Sequence, residues 1–112
     1  MEVCGLLLGP GDIVENLYPC DNVATDPADS FEIDPRALIA AHRAARNGGP
    51  SVLGHYHSHP RGPARPSLRD AAAAEPGSLW VILGDRDIGC WLAIREPSGS
   101  VGFEPVAFLT VD

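Results

Sequence analysis

The chain has 112 residues, 45% of them hydrophobic, which suits one compact domain over residues 1–112 with an apolar core of its own. The formal charge of −7 has the wrong sign for a nucleic-acid-binding surface, because phosphates are held by clustered cationic side chains. No apolar run approaches the roughly eighteen residues of a membrane span, and no signal-peptide pattern opens the chain. We therefore expect a cytoplasmic protein that binds neither nucleic acid nor membrane.

The first half of the chain predicts strands, a loop and a helix. Residues 3–8 form an apolar run closed by Gly-Pro-Gly, which is typical of a buried strand, and residues 13–18 are expected to return antiparallel to it as a hairpin. Residues 21–30 are rich in Asp, Asn, Ser and Pro and predict a loop. Residues 31–33 then predict a brief strand.

A helix is predicted over residues 36–47. Asp34 is placed to cap its N-terminus, and Pro35 fits its first position. One apolar stripe is expected to pack on a sheet. The members of this stripe are Leu38, Ile39, His42 and Ala45.

The second half predicts four more strands and one short helix. A strand over residues 51–57 ends at His59-Pro60, residues 61–66 are too rich in Pro and Gly for regular structure, and a short helix runs from Ser67 to Glu75. The remaining strands are predicted over residues 79–83, 89–95 and 101–109. The fold class is therefore α+β, a curved mixed sheet with one main helix and one short helix.

Two histidines at the end of a predicted strand are the first indication of a metal site. His57 and His59 are two residues apart, so their imidazoles point to the same face of an extended strand. Asp70, brought back by the loop after Pro60, would complete a His₂-carboxylate set, and catalytic zinc takes three such ligands and leaves one position open. Asp70 also has a structural role available, because with Ser67 as N-cap it occupies the N3 position of a capping box.

The array resembles the signature of the JAMM (MPN-type) metallopeptidases. That signature is an upstream Glu, then His-Ser/Thr-His-Pro, a Ser after seven intervening residues and an Asp three residues on, as in His57-Ser58-His59-Pro60, Ser67 and Asp70. Glu2 opens the segment Glu-Val-Cys-Gly-Leu-Leu-Leu-Gly, which is similar to the family's Glu-x-Cys-Gly-Leu-Leu-x-Gly strand. Asn22 and residues 31–35 also resemble short bacterial members.

The resemblance implies a JAMM/MPN-like fold with cytidine-deaminase-like layering and a short helix that carries a metal ligand. It implies one Zn²⁺ per chain, bound by His57, His59 and Asp70. Glu2 would be the general base and then the general acid, and Ser67 would donate a hydrogen bond to the oxyanion. Zinc would polarise the scissile carbonyl and activate a water molecule.

The resemblance also implies a substrate, a ubiquitin-like or sulfur-carrier protein cleaved at its C-terminal Gly-Gly. Two alternatives stay open: a zinc peptidase on other small peptides, such as those of the cell wall, and a non-catalytic zinc or interaction module. Arg61, Arg65 and Arg69 either contact acidic groups of the partner or belong to an ordinary solvated loop.

Family members usually carry a helix and a strand ahead of the catalytic Glu, whereas here Glu2 directly follows Met1. We expect the first family helix to be absent, apolar sheet surface to be uncovered, Glu2 to lie on a fraying terminus, and homo-oligomers to form.

Three further side chains near these motifs have predicted roles. We expect His55 to lie near the rim of the site and His42 to pack in the helix stripe. Cys4 lies inside an apolar run, which indicates a buried thiol of high pKa rather than a nucleophile. The three cysteines show no CxxC pair, so neither a disulfide framework nor a thiolate zinc site is predicted.

Overall fold

In the computed structural model, which describes residues 2–11, 13–26 and 31–107, six strands form one mixed sheet and two helices accompany it. The predicted α+β class is confirmed. The elements in chain order are β1 (Cys4–Gly9), β2 (Asn16–Cys20), α1 (Pro35–Arg46), β3 (Ser51–Ser58), α2 (Leu68–Ala73), β4 (Leu79–Leu83), β5 (Ile88–Arg95) and β6 (Val101–Pro105). None of the helices in these ranges is long and apolar enough to cross a membrane.

The strand order is β2-β1-β3-β4-β5-β6. Strand β1 is antiparallel to both β2 and β3, and β4, β5 and β6 form an antiparallel meander. Strands β3 and β4 are parallel, so the chain must cross over between them. The loop after His59 and helix α2 make that crossover, which brings Asp70 back towards the end of β3.

One face of the sheet carries most of the buried core and both helices. On this face the strand register aligns His57 with Cys4 on one side and Ile82 on the other. Leu38 of α1 and Ala73 of α2 line the same cavity as the core residues of this face. The fully or almost fully buried core side chains are Cys4, Leu6, Leu7, His57, Ala64, Trp80, Ile82 and Ala93.

The opposite face of the sheet is open, and an apolar groove of about 880 Å³ runs across it. Leu53, Val81 and Leu92 line this groove, and none of the described residues that line it is charged. Leu17 at its edge is 61% exposed. The uncovered apolar sheet surface expected from the sequence is therefore present in the described part of the chain.

Helix α1 has the predicted caps but a different contact face. The Asp34 carboxylate accepts a hydrogen bond from the Arg36 amide at 3.0 Å, and Pro35 is the first helical residue. The predicted stripe is wrong for Leu38, Ile39 and His42, which are exposed. The partly buried residues are Ala37, Ala41 and Ala45. Their spacing of four forms one row along the helix, which turns Ile39 and His42 away from the sheet and leaves Leu38 at the edge of the cavity.

Other predicted boundaries also change. Residues 31–33 do not form the predicted strand. They contribute only an isolated antiparallel bridge, in which Ile33 pairs with Asn22. Helix α2 stops at Ala73 rather than Glu75, since Ala74 is already extended ahead of Pro76, whose ring disfavours a helical Glu75. The first hairpin pairs from Asn16 onward rather than over residues 13–18. The last predicted strand also ends early, at Pro105, and residues 106–107 are not part of it. Residues 108–109 of that prediction and part of the predicted loop, residues 27–30, lie outside the described residues.

Candidate metal centre

The two predicted histidines and the predicted aspartate converge at one point at the end of β3. The Nε2 atoms of His57 and His59 are 3.0 Å apart. Oδ2 of Asp70 lies 3.6 Å from the first and 3.3 Å from the second. Four ligands at about 2.0–2.2 Å in a tetrahedron are about 3.3–3.6 Å from one another. The three donor atoms are therefore spaced as the ligands of one zinc-sized ion would be.

Asp70 is placed by the predicted capping box. Its Oδ2 accepts a hydrogen bond from the Ser67 amide at 2.8 Å, and its own amide donates to Oγ of Ser67 at 3.1 Å. Burial alone would raise the pKa of Asp70, but hydrogen bonds from His57 and from the Ser67 amide outweigh it and hold the pKa below its ordinary value. One side chain thus caps α2 and presents an ionised carboxylate to both imidazoles.

Glu2 lies within reach of the same point. One carboxylate oxygen of Glu2 and one ring nitrogen each of His57 and His59 all lie within 4.8 Å of one another. Burial raises the pKa of Glu2, an effect that the two neighbouring imidazoles partly offset. The structure therefore places two carboxylates, Glu2 and Asp70, against one pair of histidines.

The segment around Glu2, which was expected to fray, is anchored on both sides in the structure. The Glu2 carbonyl accepts a hydrogen bond from Nδ2 of Asn22 at 2.9 Å. The Val3 amide donates to Oγ of Ser58 at 2.9 Å, and the Ser58 amide donates back to the Val3 carbonyl at 3.0 Å. Glu2 itself is 6% exposed. The base of the predicted site is thus held over the histidines by backbone contacts.

Aromatic rings set the orientation of the buried histidines. Phe31 stacks on His57 with ring centroids 4.2 Å apart and planes at 16°. Trp80 meets His55 edge-on, also at 4.2 Å. His55 was expected near the rim of the site, but it is packed between these rings. Burial is the main reason that the pKa of His55 falls to about 3, so this imidazole is neutral.

A cavity of about 310 Å³ opens beside the converging donors. Its polar wall includes Ser67 and Arg69, and its apolar wall includes Phe31, Leu38 and Trp80. Arg61 and Arg65 lie exposed on the connecting loop and do not line this cavity. Of the three arginines considered from the sequence, Arg69 is therefore the one placed beside the site.

Cys4 lies next to the site, but its thiol is not activated as a nucleophile. It pairs with His57 across the β1–β3 register and is 2% exposed. Burial is the first cause that raises the pKa of its thiol to about 11. The predicted buried thiol of high pKa is confirmed, and a thiolate nucleophile is disfavoured at neutral pH.

The pattern of the sequence did not assign roles to Phe31, Asn22 or Trp80. The only sequence indication of a role for Asn22 and Phe31 was their match to short members of the resembled family. Their roles depend on contacts with residues far along the chain, so spacing alone could not identify them.

Comparison with known proteins places the chain in a family. A family model described as prokaryotic homologs of the JAB domain matches residues 1–95. The chain belongs to this family. The JAMM-type resemblance predicted from the sequence is thereby confirmed.

Several relatives of this JAB domain are known. It is 37% identical over 72% of its length to a desampylase of Haloferax volcanii. It is 40% identical over 81% of its length to a probable TtuB-protein conjugate cleaving protease of Thermus thermophilus. The chain spans 60% and 61% of those two curated relatives. The solution structure of a protein from Desulfitobacterium hafniense, 35% identical, matches with a TM-score of 0.69 over 92% of this chain and 75% of that one.

The donor set of this JAB domain is suited to a divalent cation. Two imidazoles and two carboxylates meet at one wall of the cavity, which is one group more than a three-ligand zinc site needs. A set of this kind can bind an ion and still keep one carboxylate to move a proton.

Proposed function

We propose that this JAB domain is a zinc-dependent peptide or isopeptide hydrolase that cleaves at the C-terminal Gly-Gly of a ubiquitin-like or sulfur-carrier protein. The observation that carries the proposal is the convergence of His57, His59 and Asp70, whose donor atoms are 3.0–3.6 Å apart. The relatives support the reaction class, since one is named a desampylase and another a conjugate-cleaving protease.

Two carboxylates compete for the third ligand position, and the geometry favours Asp70. Its Oδ2 lies within 3.6 Å of both Nε2 atoms, and its pKa is held low, so it is a ready anionic ligand. Glu2 has a pKa raised by burial, which is the condition that suits a general base. We therefore assign Asp70 to the metal, one zinc per chain, and Glu2 to proton transfer.

The residues divide the reaction among them. Zinc, when bound by the three ligands, would polarise the scissile carbonyl and acidify water. Glu2 takes a proton from the attacking water and delivers it to the leaving amine. The Ser67 hydroxyl accepts from the Asp70 amide at 3.1 Å, which leaves its hydrogen to donate to the oxyanion. A well-placed oxyanion donor contributes about 3–4 kcal/mol to transition-state stabilisation.

The cavity supports a small, extended tail as the substrate segment. Its volume of about 310 Å³ beside the donor atoms would accept a chain end without large side chains. Arg69 on its wall offers a cation for an acidic group of the partner or for the carboxylate released by cleavage. The cysteines Cys4, Cys20 and Cys90 are free thiols, which supports a reducing, cytoplasmic setting.

Two isosteric variants test the assignment of the carboxylates. Glu2→Gln should keep about one zinc per chain by elemental analysis and lose turnover by about 10²–10⁴-fold. Asp70→Asn should lose most of the zinc together with the activity. If Glu2→Gln loses the metal and Asp70→Asn keeps it, the two roles are exchanged and the assignment is wrong.

The substrate is tested with carrier fusions that contain the Gly-Gly tail. Incubation with and without a chelator, followed by intact mass, should show cleavage directly after Gly-Gly only without the chelator. A fusion with Ala-Ala in place of Gly-Gly is the matched control. If the protein cleaves only cell-wall peptides, the proposed substrate is wrong. If turnover persists both in Glu2→Gln and in the presence of the chelator, the assignment as a zinc-dependent hydrolase is wrong.

Self-association is also part of the proposal. The apolar groove on the open face of the sheet carries no charge among its described lining residues, although the whole chain has a formal charge of −7. A patch of this kind is typical of an interaction surface. Sedimentation velocity should show a dimer that Val81→Lys converts to monomer, and a monomer at all concentrations would refute this part.

A further inference from the structure

The loop that joins the two halves of the metal centre has no regular secondary structure. It runs from His59 to Ser67, so a metal ligand lies at its start and the capping box that holds Asp70 lies at its end. Without further contacts, such a loop would not keep the distance between them constant. In its middle, Ala64 is 2% exposed, although both of its neighbours are exposed.

Two side chains from the β4–β5 hairpin bind the backbone of Ala64. Oδ1 of Asp87 accepts a hydrogen bond from the Ala64 amide at 3.1 Å. Nε1 of Trp91 donates to the Ala64 carbonyl at 2.9 Å. We name this pair of contacts the Ala64 clamp. Both polar groups of a buried backbone position are thus satisfied by side chains more than twenty residues away in sequence.

Glycines in the same hairpin make room for the clamp. A Cβ at Gly89 would clash with the carbonyl oxygen of Ala64, and a Cβ at Gly84 would clash with the Ala64 amide nitrogen and with Oδ1 of Asp87. The hairpin therefore forms a close-fitting seat for the Ala64 backbone rather than a chance surface contact.

The clamp acts on His59 through one peptide plane. The Pro63 carbonyl lies 3.2 Å from Nδ1 of His59. This carbonyl and the Ala64 amide belong to the same planar trans peptide, so they point in opposite directions. When Asp87 holds the amide on one side, the carbonyl on the other side is aimed at the imidazole. Nδ1 of His59 then donates to it, and Nε2 is left with its lone pair.

We infer that Asp87 and Trp91 are positioning residues for the metal centre, because they fix the ring orientation and the tautomer of His59. Nε2 of His59 faces Nε2 of His57 at 3.0 Å, as a metal ligand must. Nδ1 of His57 is buried and has no hydrogen-bond partner among the described residues. His59 is therefore the ligand whose tautomer the protein sets through its outer hydrogen bond.

The tautomer of His59 tests the clamp without any metal. It is read from the ¹⁵N shifts and couplings of the metal-free protein at about pH 8. The wild type should show the Nδ1–H form. Asp87→Ala should shift His59 to a mixture of both tautomers, whereas Asp87→Asn keeps the acceptor oxygen and should resemble the wild type. An unchanged tautomer in Asp87→Ala would overturn the inference.

Zinc affinity provides the second measurement. Removal of the outer hydrogen-bond support of a ligand typically costs 10–100-fold in metal affinity. We expect a loss of that size, measured by competition with a chelating dye, in Asp87→Ala and in Trp91→Phe, which keeps an aromatic ring but has no donor. Asp87→Asn should stay within a few-fold of the wild type. Unfolding curves of the metal-free variants show whether any loss follows from global destabilisation.

The inference rests on the proposed metal centre, but the two can fail separately. If the wild type binds no zinc, the proposed function fails while the tautomer still decides the clamp. If the wild type binds zinc and Asp87→Ala and Trp91→Phe bind it equally well, the metal centre stands and the clamp is wrong.

Discussion

Replacement of Asn22 tests how Glu2 is held over the candidate metal centre. The Asn22 side chain links three backbone groups: Nδ2 donates to the Glu2 carbonyl at 2.9 Å, and Oδ1 accepts from the amides of Ala24 and Glu32 at 3.1 and 3.0 Å. Each bond contributes about 1 kcal/mol net, so Asn22→Ala should lower the free energy of unfolding by about 3 kcal/mol. Asn22→Asp keeps the acceptor oxygens and loses only the donor to Glu2, so it should cost about 1 kcal/mol plus any charge repulsion.

The effect on activity separates anchoring from general stabilisation. A displacement of Glu2 by about 1 Å should reduce turnover by about 10²-fold, because proton transfer requires hydrogen-bond distance. Both Asn22 variants remove the bond to the Glu2 carbonyl, so both should lose turnover, whereas only Asn22→Ala loses most of the stability. Urea unfolding gives the first quantity, and cleavage of a carrier fusion gives the second.

A double-mutant cycle with Glu2→Gln decides the interpretation. If Asn22 acts through Glu2, Asn22→Ala should have little further effect on turnover once the base is already absent. If Asn22→Ala lowers turnover by the same factor in the Glu2→Gln background as in the wild type, Asn22 does not act through Glu2, and our explanation of the anchored terminus is wrong.

Three further outcomes follow from the site. Ser67→Ala should lower the free energy of unfolding by about 1 kcal/mol, measured by urea unfolding, because the helix cap is lost. It should also lower turnover by about 10²-fold. An unchanged turnover would exclude Ser67 as the oxyanion donor. Zinc at 100 times its dissociation constant should stabilise the protein by about 2.7 kcal/mol, measured by thermal or urea unfolding, and His57→Ala should abolish that gain. Burial raises the pKa of the Cys4 thiol from 9.0 to about 11. The unfolded chain therefore loses the thiol proton at lower pH than the folded protein does. The free energy of unfolding should fall by about 2 kcal/mol as the pH rises from 9 to 11. Cys4→Ala should reduce that decline without abolishing it, because burial also raises the pKa values of Cys20, Cys90 and Tyr56. A wild-type stability that is constant over this range would contradict the assignment.

Features that depend on local physics could be predicted from the sequence. The two-residue spacing of His57 and His59 puts both imidazoles on one face of any extended strand. The three-residue spacing of Ser67 and Asp70 satisfies a capping box in the first turn of any helix that begins there. The same holds for Asp34 and Pro35 at the start of α1, whose bounds were predicted to within one residue. These features depend on neighbours in the chain and on fixed backbone geometry.

Other features depended on contacts between distant segments. The apolar stripe of α1 was wrong for Leu38, Ile39 and His42, because the half-buried row of this helix consists of alanines, Ala45 among them. Periodicity cannot tell which side of a helix finds a partner. His55 was placed at the rim, since the sequence does not show that Phe31 and Trp80 enclose it.

The position of Glu2 depends most clearly on contacts between distant segments. Its place beside Met1 led to the prediction of a fraying segment, yet Asn22 and Ser58 bind the backbone of residues 2 and 3, and β1 lies between β2 and β3. The Ala64 clamp likewise joins a loop to a hairpin more than twenty residues further along the chain. The sequence predicted which groups we propose for the chemistry, because motif spacing is local. The fold decided how rigidly they are held, because that rigidity comes from hydrogen bonds between segments that only strand order and chain crossover bring together.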